Sequence, residues 1–198
     1  GFVMLGLFSL NARGVEGAVL QMINHGLSTG ALFLLVGMIY ERRHTRLISD
    51  YGGIAKVVPL YSFFFLFVTL SSIGLPGLNN FVGEFLVLLG TFESQKWFGI
   101  VATTGVVLSA VYMLWLVERV FFGPAARKEN QSIPDLKGRE IAILIPLCLL
   151  MVVIGVYPKP WLGKIHESTK VFLQLSQRTL VEKEKVSLRA TGGSEAIL

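Results

Sequence analysis

Long apolar runs separated by short polar segments make up most of this 198-residue chain. Apolar runs of about 20 residues are typical of helices that cross a lipid bilayer, because a rise of about 1.5 Å per residue then spans a hydrocarbon core of about 30 Å. We therefore predict an all-α membrane protein, a bundle of transmembrane helices. Its helices are expected at about 16–40, 58–92, 97–117 and 141–157, after a partial helix at 1–10.

The run from Leu60 to Thr91 is too long to cross the membrane as one straight helix, since it would measure roughly 48 Å. Glycine and proline weaken helices, and open backbone inside a membrane is tolerated where it lines a polar cavity. We predict a discontinuous helix, broken at 74–80, whose open backbone belongs to an ion path. The interruption consists of glycines, a proline and two amides: Gly74, Pro76, Gly77, Asn79 and Asn80.

Two ionisable residues lie deep in apolar sequence, Glu84 just after the break and His25 in the middle of the first long helix. A carboxylate near the bilayer centre costs on the order of 3 kcal/mol, and such groups usually serve in transport. Glu84 is therefore the leading candidate for a proton carrier, with a structural acid bonded to free amides of the break as the alternative. Imidazole exchanges protons near neutral pH, which suits His25 to a relay, although it could simply join two helices by a hydrogen bond.

Polar residues accompany both candidates. Asn79 and Asn80 either orient water at the break or satisfy its open backbone. Gly26 and Gly30 form a GxxxG pattern that allows a neighbouring helix to approach closely. Helical spacing places a further stripe of polar side chains on the face of His25: Gln21, Ser28 and Thr29.

Composition supports the membrane prediction, with 53% hydrophobic and 16% charged residues against about 25% charged in soluble domains. The net charge of +5 resides mainly in loops, which indicates membrane orientation rather than nucleic-acid binding. Cys148 is the single cysteine, so no disulfide within the chain and no iron–sulfur cluster is expected. The sequence shows no metal-ligand spacing.

The two ends of the chain differ from its centre. The first residues lack both an initiating Met and a basic leader, so we expect the end of a helix that starts upstream, in a longer protein. A polar tail, 163–198, is expected to begin as a surface helix and to end disordered. Glu16 is expected to be solvated or paired with Arg13, and His166 to be solvated.

The segments GAVLQMINHGLSTGALFLLVGMIYERRHTR and GLPGLNNFVGEFLVLLG closely resemble the antiporter-like M chains (subunit 4 type) of bacterial respiratory complex I. The likeness covers roughly residues 1–160, and the HGL and GLPG…NFVGEF motifs are specific. It implies the C-terminal part of a 14-helix fold, from the end of helix 10 to helix 14. Glu84 would match the family's acid at the distal end of a proton path, and His25 its histidine on the central polar axis.

The resemblance implies a proton-translocating subunit of NADH–quinone oxidoreductase in the bacterial inner membrane, with a periplasmic C-terminus. No cofactor is expected in this chain; flavin and iron–sulfur clusters would lie in partner subunits. Neighbouring antiporter-like chains and the lipid bilayer would be its contacts. The alternatives are a chain of a multisubunit cation/proton antiporter or of a membrane-bound hydrogenase, and a structural scaffold without transport.

Overall fold

The computed structural model describes residues 1–123 and 127–192, and the regular secondary structure within those ranges is helical. Three helices are long and apolar enough to cross a membrane, and a shorter apolar helix, Pro59–Ser72, precedes the break. The prediction of an all-α membrane protein with one discontinuous helix is confirmed. The main helices are α1 (Phe2–Phe8), α2 (Ala12–Arg43), α3 (Pro59–Ser72), α4 (Asn79–Ser94), α5 (Lys96–Val117), α6 (Gly138–Val156) and α7 (Lys159–Gly192).

Several helices extend beyond their predicted ends. Helix α2 starts four residues early because Asn11 caps it, its side-chain oxygen accepting a hydrogen bond from the N–H of Gly14 at 2.9 Å. Helix α5 continues as a π-helical turn, Glu118–Phe122, in sequence predicted as loop, and α6 begins at Gly138 within the same predicted loop. Charged residues made these ends look like loop, whereas the backbone remains helical.

The polar C-terminal segment forms the long helix α7, so the predicted boundary at 162/163 falls inside one continuous element. The end of the tail was predicted to be disordered, and from residue 193 onward it lies outside the described residues. Helix α7 packs on α2, with Ile165 in a cluster with Leu20 and Ile154. His166 bonds Glu16 at 2.5 Å, and Arg13 pairs instead with Glu93. The expectation that Glu16 is solvated or paired with Arg13 is therefore wrong, because the tail returns to α2. His166 is exposed, as expected, and it also bonds Glu16.

The N-terminal end of α3 is anchored by a distant loop. Pro59 occupies its first turn, where a missing N–H costs nothing, and the Asp135 carboxylate accepts hydrogen bonds from the N–H groups of Leu60 and Tyr61 at 2.9 and 3.0 Å. The Tyr61 hydroxyl donates to the Leu35 carbonyl at 3.1 Å, and its ring stacks on Phe121. These contacts fix the first half of the broken helix against α2 and α5.

Helices α2 and α4 cross closely because glycines form the contact. A Cβ added at Gly17 would lie 2.7 Å from Leu86 Cβ and 2.8 Å from the backbone nitrogen of Val87, closer than ordinary van der Waals contact. Backbone atoms cannot swing aside as a flexible side chain can. The crossing therefore requires glycine, and it brings α2 within reach of the helix break.

Leucine at Gly17 should therefore separate α2 from α4. Overpacking of this kind costs about 1–3 kcal/mol of the free energy of unfolding, and chemical unfolding of the full-length protein in detergent would measure it. Gly163→Leu is a matched control, since it also replaces a helical glycine but nothing lies within 4 Å of the added Cβ. Equal stability of the two variants would contradict the tight crossing.

Candidate functional site

The break itself is a tight turn between α3 and α4. Gly74 has a φ of 75°, a left-handed conformation that glycine adopts without strain, and Gly77 has a φ of 95°. The Leu75 N–H donates to the Leu70 carbonyl at 3.0 Å and the Gly74 N–H donates to the Ser71 carbonyl at 3.2 Å, the Schellman pattern. Pro76 is exposed at the tip of the turn. The glycines and proline thus end α3 as predicted.

Asn79 and Asn80, included in the predicted break, form the first turn of α4 and are almost wholly buried. The Asn80 amide donates to the Ser71 carbonyl at 2.9 Å and to the Ser28 hydroxyl at 3.0 Å. The Asn79 side-chain oxygen accepts from the Ser71 hydroxyl at 2.5 Å. These amides join the end of α3 to the start of α4 and to α2, so they satisfy polar groups that the break would otherwise leave buried and unpaired.

Asn24 is a member of this network that the sequence prediction missed. Its amide donates to the Asn79 carbonyl at 2.7 Å, and its own carbonyl accepts from the Ser28 hydroxyl at 3.0 Å. Asn24 follows Gln21 by three residues and precedes Ser28 by four, so helical spacing places it on the predicted polar face. That spacing was the signal available in the sequence.

Glu84 lies one turn beyond the asparagines, half-buried beside the turn of the break. The Gln21 amide is 3.3 Å from Glu84 Oε1 and 3.3 Å from Asn80 Oδ1, so it bridges the acid and the asparagine network. Among the described residues no backbone N–H donates to the Glu84 carboxylate. A structural acid held by the free amides of the break would accept such bonds. A Cβ at Gly74 would be 2.5 Å from Glu84 Oε2. The glycine therefore makes room for the acid.

A cavity of about 450 Å³ opens in front of Glu84 and reaches His25. His25 lies on its wall with an exposed ring, and Thr29 Oγ1 is 3.2 Å from His25 Nδ1. Helix α5 adds Ser109 and Tyr112 to the polar lining. The structure thus brings Glu84, His25, Gln21, Ser28 and Asn80 to one cavity, whereas Asn79 is buried behind it.

The described residues contain no group of three or more His, Cys, Asp or Glu side chains that could hold a metal ion. Cys148 is a partly buried free thiol in α6. Amide, hydroxyl, imidazole and carboxyl groups instead dominate the polar lining of the cavity. Such groups exchange hydrogen bonds and protons, so the arrangement suits proton transfer through water.

Comparisons with known proteins identify the family of the chain. The family described as "NADH:quinone oxidoreductase/Mrp antiporter, TM" matches residues 1–109. The NADH-quinone oxidoreductase subunit M of Rhodobacter capsulatus is 49% identical over 158 residues, which are 80% of this chain and 31% of that protein. The chain thus spans about a third of the length of this relative.

Two solved structures share the fold. A chain of respiratory complex I from Thermus thermophilus with bound NADH matches with a TM-score of 0.82 and 33% identity, over 88% of this chain and 36% of the other. A chain of the membrane-bound sulfane sulfur reductase, an archaeal respiratory membrane complex, matches with a TM-score of 0.67 and 26% identity, over 74% of this chain and 24% of the other. With more than half of its length matched, the chain belongs to the NADH:quinone oxidoreductase/Mrp antiporter transmembrane family.

Proposed function

We propose that this chain is part of a proton-translocating, antiporter-like membrane subunit of an NADH–quinone oxidoreductase, in which Glu84 binds and releases the transferred proton. The observation that carries the proposal is the cavity shared by Glu84 and His25, lined by the amides and hydroxyls of α2, α4 and α5. An acid at this depth is energetically costly, and such groups usually serve transport. The polar lining can order the water through which a proton moves.

The Gln21 amide gives Glu84 a partner in both protonation states. Its NH₂ group donates to the ionised carboxylate, as the 3.3 Å contact indicates. Its oxygen is buried and has no hydrogen-bond donor among the described residues. When Glu84 is protonated, rotation of the amide lets that oxygen accept from the carboxylic acid. Gln21 thereby gives Glu84 a hydrogen-bond partner in both states and does not hold it in one protonation state.

His25 is the second relay group in this proposal. Its ring reaches the cavity and bonds to Thr29 rather than to Glu84, so water must connect the two groups. A charge change driven by quinone reduction in partner subunits would shift the proton affinity of Glu84. This chain would itself carry no redox centre, and flavin and iron–sulfur clusters would belong to those partners.

The whole protein would be a multi-pass component of a bacterial inner membrane, assembled with other antiporter-like chains and oriented with its C-terminus in the periplasm. The Arg- and Lys-rich segments between the long apolar runs, at 41–56 and 118–140, support that orientation. The relative from Rhodobacter capsulatus, at 49% identity, favours the oxidoreductase over other complexes.

A second candidate is a related cation/proton antiporter or another respiratory membrane complex. It is favoured by the family's description, which includes the Mrp antiporter, and by the match to the sulfane sulfur reductase. Co-purification separates the candidates. Flavin and iron–sulfur subunits accompanying the full-length protein support the oxidoreductase, and antiporter chains without them support the alternative.

Glu84→Gln in the full-length protein is expected to lower NADH-driven proton pumping by about twofold or more, because the amide cannot take up a proton at neutral pH. Pumping is measured as acidification of the lumen of inverted membrane vesicles, alongside the rate of NADH oxidation. Glu93→Gln is the matched control, an exposed acid on the same helix, outside the cavity. Unchanged protons per NADH in Glu84→Gln would exclude the acid from the path.

A further inference from the structure

A second cavity, of about 720 Å³, lies between α2 and α6 and shares no residue with the cavity of Glu84. Its apolar walls include Phe33 and Leu34 of α2 and Ile143 of α6. Two glycines of α2, Gly30 and Gly37, form its floor. No described atom lies within 4 Å of a Cβ added at either glycine, so these positions leave open space rather than admit a neighbouring part of the described chain.

The stretch of α2 that lines the cavity is about as long as one membrane leaflet is thick. From Gly30 to Glu41 the helix rises about 16 Å, roughly half of a hydrocarbon core of about 30 Å. Apolar groups line its inner part, and charged groups gather where α2 ends and α6 begins. One end is therefore suited to an acyl chain and the other to a polar headgroup.

The charged end is held in place by Arg42. Its guanidinium pairs with Glu140 at 2.7 Å and donates to the carbonyls of Pro134, Asp135 and Met38 at 2.9, 3.3 and 2.7 Å. These bonds hold the loop at 134–137 against α2, and Pro134 and Lys137 of this loop line the cavity.

Two basic side chains at this end remain available to a ligand. Lys137 and Arg139 are exposed and form no ion pair within the part of the chain that the structure describes. Arg42 and Glu140 neutralise each other, so Glu41 is the remaining acid of the lining. The cavity thus carries a net positive charge at its polar end, and basic pockets between transmembrane helices are typical sites for anionic lipid headgroups.

We propose that this cavity binds an anionic phospholipid. One acyl chain lies on the floor formed by Gly30 and Gly37, and the phosphate is held by Lys137 and Arg139. The site depends on the chain being in a membrane and not on the role of Glu84. The lipid would bind against α2, the helix that carries His25 and Gln21, at a point away from the cavity of Glu84.

The test uses the full-length protein in its purified membrane complex, with lipid removed by detergent. A phosphatidylglycerol carrying a photoactivatable group in its acyl chain is titrated in, and its adducts are mapped on peptides of α2 and α6. Lys137→Gln combined with Arg139→Gln should raise the half-saturating concentration about 30-fold, since each basic residue near an anionic headgroup contributes roughly fivefold. Lys56→Gln combined with Lys128→Gln removes the same charge outside the cavity and should leave labelling unchanged.

A second variant tests the apolar part. Gly30→Leu fills the floor of the cavity and should reduce labelling by phosphatidylglycerol and by the zwitterionic phosphatidylcholine alike. Equal labelling of the two double variants would overturn the headgroup assignment. Loss of a neighbouring subunit in Gly30→Leu, without any change in lipid labelling, would show that the cavity receives a protein helix instead.

Discussion

Replacing Gly74 by alanine should destabilise the helix break and stop proton transfer through Glu84. At a φ of 75° a Cβ costs about 1–2 kcal/mol, because it approaches the neighbouring carbonyl oxygen. The same Cβ would lie 2.5 Å from Glu84 Oε2, so the carboxylate must move away from the turn. The expected result is a loss of pumping comparable to that of Glu84→Gln, added to a lower free energy of unfolding.

Gly77→Ala is the control that separates these two effects. Gly77 also has a left-handed backbone, with a φ of 95°, but nothing lies within 4 Å of its added Cβ. Its loss of stability should match that of Gly74→Ala, while NADH-driven pumping in inverted vesicles should persist. Equal pumping by the two variants would mean that the position of Glu84 relative to the break has no part in proton transfer.

The broken helix could be predicted from the sequence because two local signals coincided. An apolar run too long for the membrane contained Gly74, Pro76 and Gly77, and the structure ends α3 at that turn. Glu84 was a candidate because a carboxylate in apolar sequence has few explanations. Both inferences need only the neighbouring residues, which the sequence provides, together with the general solvent properties of a bilayer.

Contacts between distant segments were beyond such reasoning. Asp135 caps α3 from 75 residues away, and His166 bonds Glu16 across 150 residues. Neither partner is adjacent in the sequence, and surface charge made solvation the simpler expectation. Asn24 was overlooked although its spacing places it on the polar face with Gln21 and Ser28. The sequence does not show its partner, Asn79, which lies 55 residues away in the chain.

Asn80→Leu is expected to cost about 3 kcal/mol of the free energy of unfolding, since the change of shape is small but several hydrogen bonds are lost. The Asn80 amide no longer donates to the Ser71 carbonyl or to the Ser28 hydroxyl, and the Asn80 side-chain oxygen no longer accepts from Gln21. A buried polar group left unsatisfied costs about 1–3 kcal/mol. Chemical unfolding of the full-length protein in detergent would measure the loss, and wild-type stability would contradict the role of this network.

A double-mutant cycle with Ser28→Ala distinguishes the network from simple packing. Each single change removes the 3.0 Å hydrogen bond from Asn80 to Ser28 and leaves the remaining partner with one hydrogen bond fewer, whereas the double change removes both partners. The double variant should therefore be more stable than the sum of the single losses predicts, by about 1 kcal/mol. Because Gln21 contacts both Asn80 and Glu84, Asn80→Leu should also lower pumping, and Ser28→Ala should do so less. Additive stability losses would show that Asn80 stabilises the protein by its volume and not by this hydrogen bond. Glu84 would then be held by Gln21 alone.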